Sequence, residues 1–416
     1  MIDSILLTLL LPHYDKNDIE EEIDEMKLLA NTIGYDIKHS FKQNRLALDP
    51  ATYFGKGKIK EVFEKASLLK INTIFINDEI RPNHYKNIKK LSKNNIEIID
   101  RTCLILNIFN NNAKTNESKS QVRLATLQYM MPRLTGMWTH LERQMGGVGT
   151  RGGPGEKQIE IDRRIVRNDI KKLKDNLSKI SKQRNNQKKL RKDIFKVSLV
   201  GYTNAGKSSI LKKVSGYNAY IKDQLFATLE TTTKRVQLPS KSEIIISDTV
   251  GFLRKLPHDL VASFRSTLSE IKDSDLIIKV VDLSSSDIEG HIKTINDTLE
   301  YLNADKCDSI YVFNKIDIVN DDNIFLKINK KYNNPLMISA LNDLRVDDLI
   351  NKIDQIVTSD YKEYKILIDY KSVKNIDYIY KNSIVIDRRD KYDFIEMKIS
   401  CNDIDYTKII KKIGLK

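Results

Sequence analysis

The chain has 416 residues, 40% of them hydrophobic, and a formal net charge of +14. That apolar share excludes a disordered chain, and the length suits roughly three domains at about 150 residues each. The basic balance, with a pI near 9.3, points to a polyanionic partner, nucleic acid ahead of a membrane surface.

The opening "MIDSILLTLLLP" is apolar, but it is far shorter than the roughly 20 residues a membrane span needs, and no basic residue precedes its apolar run. It is expected to be a buried first strand. "YDIKHSF", "INTIFIN" and "IEIID" are predicted as further strands, with helices near 18–33, 58–70 and 83–94 between them. This alternation predicts an N-terminal α/β domain over 1–116 with a parallel sheet and crossover helices. Within it, "GKGK" at 55–58 has two readings. It either seats an anion on the first amides of a helix, or is a glycine turn followed by surface lysines.

From 117 to 193 the pattern turns helical. Leu124, Leu127, Met131 and Leu134 recur at steps of three and four, and after "GGVGTRGGPGE" the positions Ile159, Val166, Ile170, Leu173, Leu177 and Ile180 keep a seven-residue repeat. We expect a long antiparallel helical hairpin whose glycine-rich tip loop, 146–155, projects from the body. Its second helix carries thirteen basic residues against two acidic ones over 163–192. An ordinary solvated helix face mixes signs, so this bias favours phosphate contact. The G-x-G-x-x-G match at Gly147, Gly149 and Gly152 is no dinucleotide fingerprint, because it follows a helix pattern and not a strand.

The next region, 194–358, returns to strand and helix and holds the chemistry. The strand "FKVSLV" leads into "GYTNAGKSS", a G-x-x-x-x-G-K-[ST] match spanning Gly201, Tyr202, Thr203, Asn204, Ala205, Gly206, Lys207 and Ser208. Successive amides there would wrap phosphates, Lys207 would reach the β and γ oxygens, and Ser208 would supply a ligand to Mg²⁺. About twenty residues on, the loop Phe226, Ala227, Thr228, Leu229 and Glu230 would place Thr228 as a second magnesium ligand over the γ-phosphate. "DTVG" follows, where Asp248, Thr249, Val250 and Gly251 would hold the metal through water and offer the Gly251 amide to the γ-phosphate. Phe252 then stands where many nucleotide switches have a water-orienting glutamine. At the end of a further strand come Asn314, Lys315, Ile316 and Asp317, whose aspartate can accept both N1–H and N2–H of guanine. Finally "PLMISAL" puts Ser339, Ala340 and Leu341 at a strand end, where a backbone amide could read the guanine carbonyl oxygen. Five such pieces in this order point to a GTP-binding α/β domain and to GTP as substrate.

The last region, 359–416, is predicted as a small C-terminal α/β domain. The cysteines, Cys103, Cys307 and Cys401, are far apart and lack metal-ligand spacing. Reduced thiols in a cytoplasmic protein are expected, and no zinc site is suggested.

With these motifs in hand, the chain resembles the HflX family of ribosome-associated GTPases over nearly its whole length. "ANTIGYDI", "DPATYFGKGKIKEV", "IDRTCLILNIF", "LQYMMPRLTGMWTHLERQ", "EKQIEIDRRIVR", "GYTNAGKS", "DQLFATLE" and "DTVGFLRKLPHDLVASF" carry the likeness. A monomer is expected, and the resemblance implies that it binds GTP and GDP and hydrolyses GTP under stimulation by ribosomes. It also implies contact with the large subunit and its rRNA through the hairpin and its tip loop, Gly146 to Gly155, a contact the basic helix 163–192 supports, and dissociation of stalled or idle ribosomes under stress. In some related GTPases an asparagine placed like Asn204 holds K⁺, which can act like an arginine finger. The chain departs from the family at "RGGPGE", which carries an extra residue in the tip, at Glu230 and Thr231 after "FATL", and at Arg123. Two other readings stay open: a nucleotide-gated RNA-binding factor in large-subunit assembly, and ATP-dependent rRNA remodelling through the N-terminal domain.

Overall fold

The computed structural model describes residues 1–12, 16–92, 96–133, 156–189, 194–216, 226, 231–255, 270–332, 335–370 and 376–413. The tip loop 146–155 lies outside these residues. The chain divides into two compact units, one comprising Met1–Gln187, Lys222–Glu230 and Val250–Leu268, the other Lys188–Ile221, Thr231–Thr249 and Ser269–Lys416.

The first unit begins with β1 (Ile2–Leu10), α1 (Lys16–Thr32), β2 (Tyr35–Asn44), α2 (Lys56–Leu68), β3 (Thr73–Ile76), α3 (Pro82–Leu91) and β4 (Glu97–Asp100). The strands form one sheet in the order β2-β1-β3-β4, and every pair is parallel. β1 is buried from Ser4 to Leu9, as a strand covered on both faces must be. Ile5, Leu7, Leu9, Ile74, Ile76 and Ile98 of the sheet pack with Phe54, Ile59, Val62 and Ile88. α2 starts just after Gly55, whose N–H donates to Gln43 at 2.9 Å, and Lys58 pairs with Glu61 of the same helix. The "GKGK" stretch is thus a glycine entry to a helix followed by lysines.

After β4 come α4 (Arg101–Asn112), α5 (Asn116–Met130), a single 3-10 turn (Met131–Arg133) and α6 (Glu156–Lys189). The buried Asp100 carboxylate caps α4 through the Cys103 N–H at 2.8 Å and accepts from Tyr129 Oη at 2.7 Å, with Arg133 at 3.6 Å. Burial pushes the Asp100 carboxyl above the usual range, against the pull of Arg133. Leu127 and Met130 of α5 pack on Val166 of α6, flanked by Ile170 and Leu173. Leu127, Val166, Ile170 and Leu173 are among the repeat positions, while Met130 takes the buried place expected of Met131, which is only partly buried. On the far side of α6, Arg164, Arg167, Lys171, Lys172, Lys174, Lys179 and Lys182 are exposed.

The second unit holds β5 (Phe195–Gly201), α7 (Lys207–Ser215), β6 (Thr232–Gln237), β7 (Glu243–Asp248), β8 (Leu276–Asp282), α8 (Ile288–Tyr301), β9 (Asp308–Asn314), α9 (Asp322–Lys331), β10 (Leu336–Met337) and α10 (Val346–Thr358). Its six-stranded sheet runs β10-β9-β8-β5-β7-β6, parallel except for the edge strand β6. Val197, Leu199, Ile244, Ile246, Ile278 and Val280 fill the sheet's core with Ile210 of α7 and Leu349 of α10.

The chain then adds β11 (Lys362–Asp369), α11 (Ile376–Asn382), β12 (Ile384–Asp390), β13 (Phe394–Cys401) and α12 (Asp403–Ile413), an antiparallel sheet ordered β11-β13-β12. One face of this sheet closes over Ile379 and Ile409 of its helices. No helix among the described residues is long and apolar enough to cross a membrane.

Candidate nucleotide site

The site grows from the C-terminal ends of β5, β7 and β9, where an open parallel sheet places ligands. β5 ends at Gly201, and a Cβ there would meet the Val280 carbonyl oxygen of β8 at 2.3 Å, so only glycine lets the loop leave so close to its neighbour. The chain turns through Asn204 at φ +61° and Gly206 at φ +91° before α7 begins at Lys207. At Gly206 a Cβ would lie 2.1 Å from Asn314 Nδ2. Gly206 carries no side chain to cap α7, so that helix start keeps its first amides for an anion. Tyr202 stacks on His291 of α8 at 3.9 Å and 13°, forming one wall of the loop, and Thr203 beside it is buried.

Lys207 is buried, and its Nζ donates to the Gly201 carbonyl at 3.1 Å and the Tyr202 carbonyl at 2.8 Å. Burial pulls its ammonium down to about 8, while Asp248 pulls the other way. A lysine folded back on its own loop's carbonyls is a cation within reach of the loop's first amides. Ser208 Oγ donates to Asp248 Oδ2 at 2.5 Å. A hydroxyl and a buried carboxylate this close fit the oxygen donor set of a hard cation such as Mg²⁺. Thr249 Oγ1, fully buried, donates to the Leu199 carbonyl at 2.7 Å and pins the end of β7 to β5.

The loops after β9 and β10 are joined by Asn314. Its Nδ2 donates to the Ala205 carbonyl at 2.9 Å, and its Oδ1 accepts from the Ala340 N–H at 3.0 Å. One buried amide therefore ties the phosphate loop, the end of β9 and the loop after β10. Lys315, at φ +69°, pairs with Asp282 of β8 at 2.6 Å. Ile316 and Asp317 sit on a short 3-10 turn, the Ser339 side chain is buried, and Leu341 is 79% exposed. Asp317 Oδ2 accepts from Asn342 Nδ2 at 3.1 Å, a partner that no motif marks.

The remaining motif residues belong to the first unit or lie outside the described residues. Ala227, Thr228, Leu229 and Glu230 are in the latter class. Phe226 is buried edge-on against Phe109 at 4.7 Å, and its carbonyl accepts from Asn112 Nδ2 at 2.9 Å. Val250 and Gly251 lead into Phe252 and Leu253, both 2% exposed. The next two residues meet an acidic row. Arg254 pairs with Asp18 at 3.4 Å and Glu21 at 3.3 Å, and its carbonyl accepts from the buried Arg101 at 3.2 Å. Lys255 lies 2.8 Å from Glu22 and 2.9 Å from Asp78. Burial alone would lower the Lys255 ammonium, but those two carboxylates outweigh it and raise it. Sequence reading missed Arg254 and Lys255 because their partners lie far away in the chain, in α1 and just after β3.

Comparison with known proteins agrees with this geometry. The family model described as "GTP-binding GTPase N-terminal" matches residues 20–110, "GTP-binding GTPase Middle Region" matches 112–191, and "50S ribosome-binding GTPase" matches 196–315. "GTPase HflX" of Caldanaerobacter subterraneus is 40% identical over 92% of this chain and 86% of its own length. The protein of that name from Magnetococcus marinus is 37% identical over 94% and 90%, and that from Escherichia coli 39% identical over 72% and 70%. With the phosphate loop, the Ser208–Asp248 pair and the Asn314 tie in place, the chain belongs to the HflX family of GTPases.

Proposed function

We propose that the chain binds GTP in the loops built on Gly201–Ser208, Asp248–Gly251, Asn314–Asp317 and Ser339–Leu341, hydrolyses it, and couples that cycle to binding the large ribosomal subunit. The observation that supports the nucleotide reading is the set of buried Lys207, Asp248 and Asn314 with the half-buried Ser208, polar groups that suit a polyphosphate ester and the loops around its base. The ribosomal reading rests on the matched "50S ribosome-binding GTPase" model and on the exposed basic face of α6.

In this reading Lys207 leaves the Gly201 and Tyr202 carbonyls for the β and γ oxygens, and the amides at the start of α7 wrap the same phosphates. Ser208 and Asp248, the latter through water, would hold Mg²⁺ together with Thr228, and the ion would supply charge neutralisation for the transferring phosphoryl group. Gly251 offers its amide to the γ-phosphate, and Asp317 takes the guanine edge. Phe252 has no carboxamide to orient water, and its buried side chain suits packing instead. The help that completes the site would come from elsewhere: Asn204 would hold K⁺, and the ribosome would order the loops. A supplied positive charge of this kind is worth about 10³ to 10⁵ in rate. Exchanging potassium for sodium should slow turnover, and equal rates in both salts remove Asn204 from the mechanism.

The tip loop 146–155 and α6 are the elements that would face rRNA, and dissociation of stalled or idle ribosomes is the resulting activity. Sedimentation with purified large subunits tests this. The chain should pellet with them in the presence of a non-hydrolysable GTP analogue and release with GDP, and intact ribosomes should split on addition of chain and GTP. Binding confined to immature particles, with intact ribosomes left whole, would move the function to subunit assembly.

A further inference from the structure

The sequence motifs give Asp317 its partner in guanine but say nothing of what aims its carboxylate. Asp317 sits on a single 3-10 turn and is only partly buried. An aspartate there has rotamer freedom, yet recognition of N1–H and N2–H together requires both oxygens to lie along the base edge. Asn342 supplies a restraint, with Nδ2 donating to Oδ2 at 3.1 Å.

Asn342 is itself fixed. Its N–H donates to Ser339 Oγ at 3.1 Å. Ser339 is fully buried and exchanges both backbone hydrogen bonds with Leu344 at 3.0 Å. The following Asp343, at φ +60°, reaches back to Lys213 of α7 at 3.1 Å, and Arg345, at φ +57°, opens α10. The loop is thereby anchored at Ser339, at Lys213 and on α10, with Asn342 between the anchors.

We propose that Asn342 is a positioning residue for base specificity: it holds the Asp317 carboxylate in the plane where both oxygens meet guanine. This rests on the reading of Asp317 as the base acceptor. The chemistry is compatible, since each carboxylate oxygen carries two lone pairs. One on Oδ2 serves Asn342 and one on each oxygen remains for the base. The restraint orders the carboxylate before binding, so the ordering entropy is not charged to the nucleotide. Its effect falls most on the bond to the exocyclic 2-amino group, which needs the second oxygen in register.

The test compares dissociation constants for GTP and ITP, whose base lacks the 2-amino group, in the full-length wild type, Asn342→Ala and Asn342→Asp. The ratio of the two constants is insensitive to any loss of folded protein, which scales both equally. The wild type should prefer GTP, and Asn342→Ala should cut that preference about fivefold, the scale of one typical net hydrogen bond. Asn342→Asp, nearly isosteric but facing Asp317 with a second carboxylate, should cut it further and weaken GTP binding itself. Ratios within twofold of wild type in both variants would overturn the proposal while leaving Asp317 its role. A wild-type chain with no preference for GTP over ITP would overturn the assignment of Asp317 and the proposal with it.

Discussion

In the function proposed above, the nucleotide loops and the basic face of α6 serve the same chemistry, phosphate recognition, by opposite means. Around Gly201–Ser208 polar groups that are buried or half-buried are tied to one another, with Ser208 on Asp248, Thr249 on the Leu199 carbonyl, and Asn314 on both Ala205 and Ala340. On α6 the cations are many and exposed, on a helix seated on α5 by a short apolar seam. Buried polar groups act at low dielectric and lose most when one partner is removed, whereas exposed charges are screened by salt and add up one by one. The first arrangement can read one ligand closely, and the second suits a long polyanion whose sequence does not matter.

Substitutions should separate the two regimes, beginning with the largest effect. Lys207→Ala removes the buried cation and should lower GTP turnover by at least about 100-fold, while the far-ultraviolet spectrum stays that of the wild type. Turnover within tenfold of wild type would show that the loop does not work as described. Asn314→Ala breaks two buried ties at once, and leaving the Ala340 N–H and Ala205 carbonyl without them should cost about 2–3 kcal/mol of stability in denaturant unfolding, with GTP affinity falling too. Charge reversal on α6, with Lys171, Lys172 and Lys174 changed to Glu, should leave basal turnover and stability near wild type. It should weaken RNA binding and lower the slope of log affinity against log salt by about one for each phosphate that is no longer neutralised.

The smallest effect is one of pH. Burial pulls the Lys207 ammonium of the folded chain down to about 8 from an ordinary lysine value of 10.5. The folded state therefore holds fewer protons than the unfolded one between those values, and stability should rise with pH across that window. Its cost is fully present below about pH 8, where the buried group carries its charge. A bound triphosphate restores the charge, so GTP binding at pH 8.5 to 9 should take up a proton. Calorimetry in two buffers of different ionisation enthalpy would show it, and identical heats would contradict the lowered value.

The same contrast governs what the sequence made legible. The phosphate loop is a local motif, since strand, glycines, lysine and serine lie within fourteen residues, Phe195 to Ser208, and the backbone geometry at Gly201 and Gly206 demands those types. The apolar repeat in α6 was likewise readable, because Val166, Ile170 and Leu173 recur at helical spacing. The second role of Asn314 was not readable: its motif places it beside the base, while its amide spends both ends on Ala205 and Ala340, which are distant in sequence. Asn342 and the Arg254 and Lys255 pairs were invisible for the same reason. Each is a polar contact set by tertiary packing, without periodicity or spacing to announce it. In the C-terminal part the strand-and-helix content was legible but the order β11-β13-β12 was not, since alternation alone does not say which strand lies between the other two.

The most direct test joins the two regions: GTP turnover with and without purified large ribosomal subunits, in the wild type and in the triple α6 charge reversal. The account predicts slow turnover for both proteins alone, strong stimulation of the wild type by the subunit, and loss of that stimulation in the variant with its basal rate unchanged. Equal stimulation of both proteins, or none of the wild type, would contradict it.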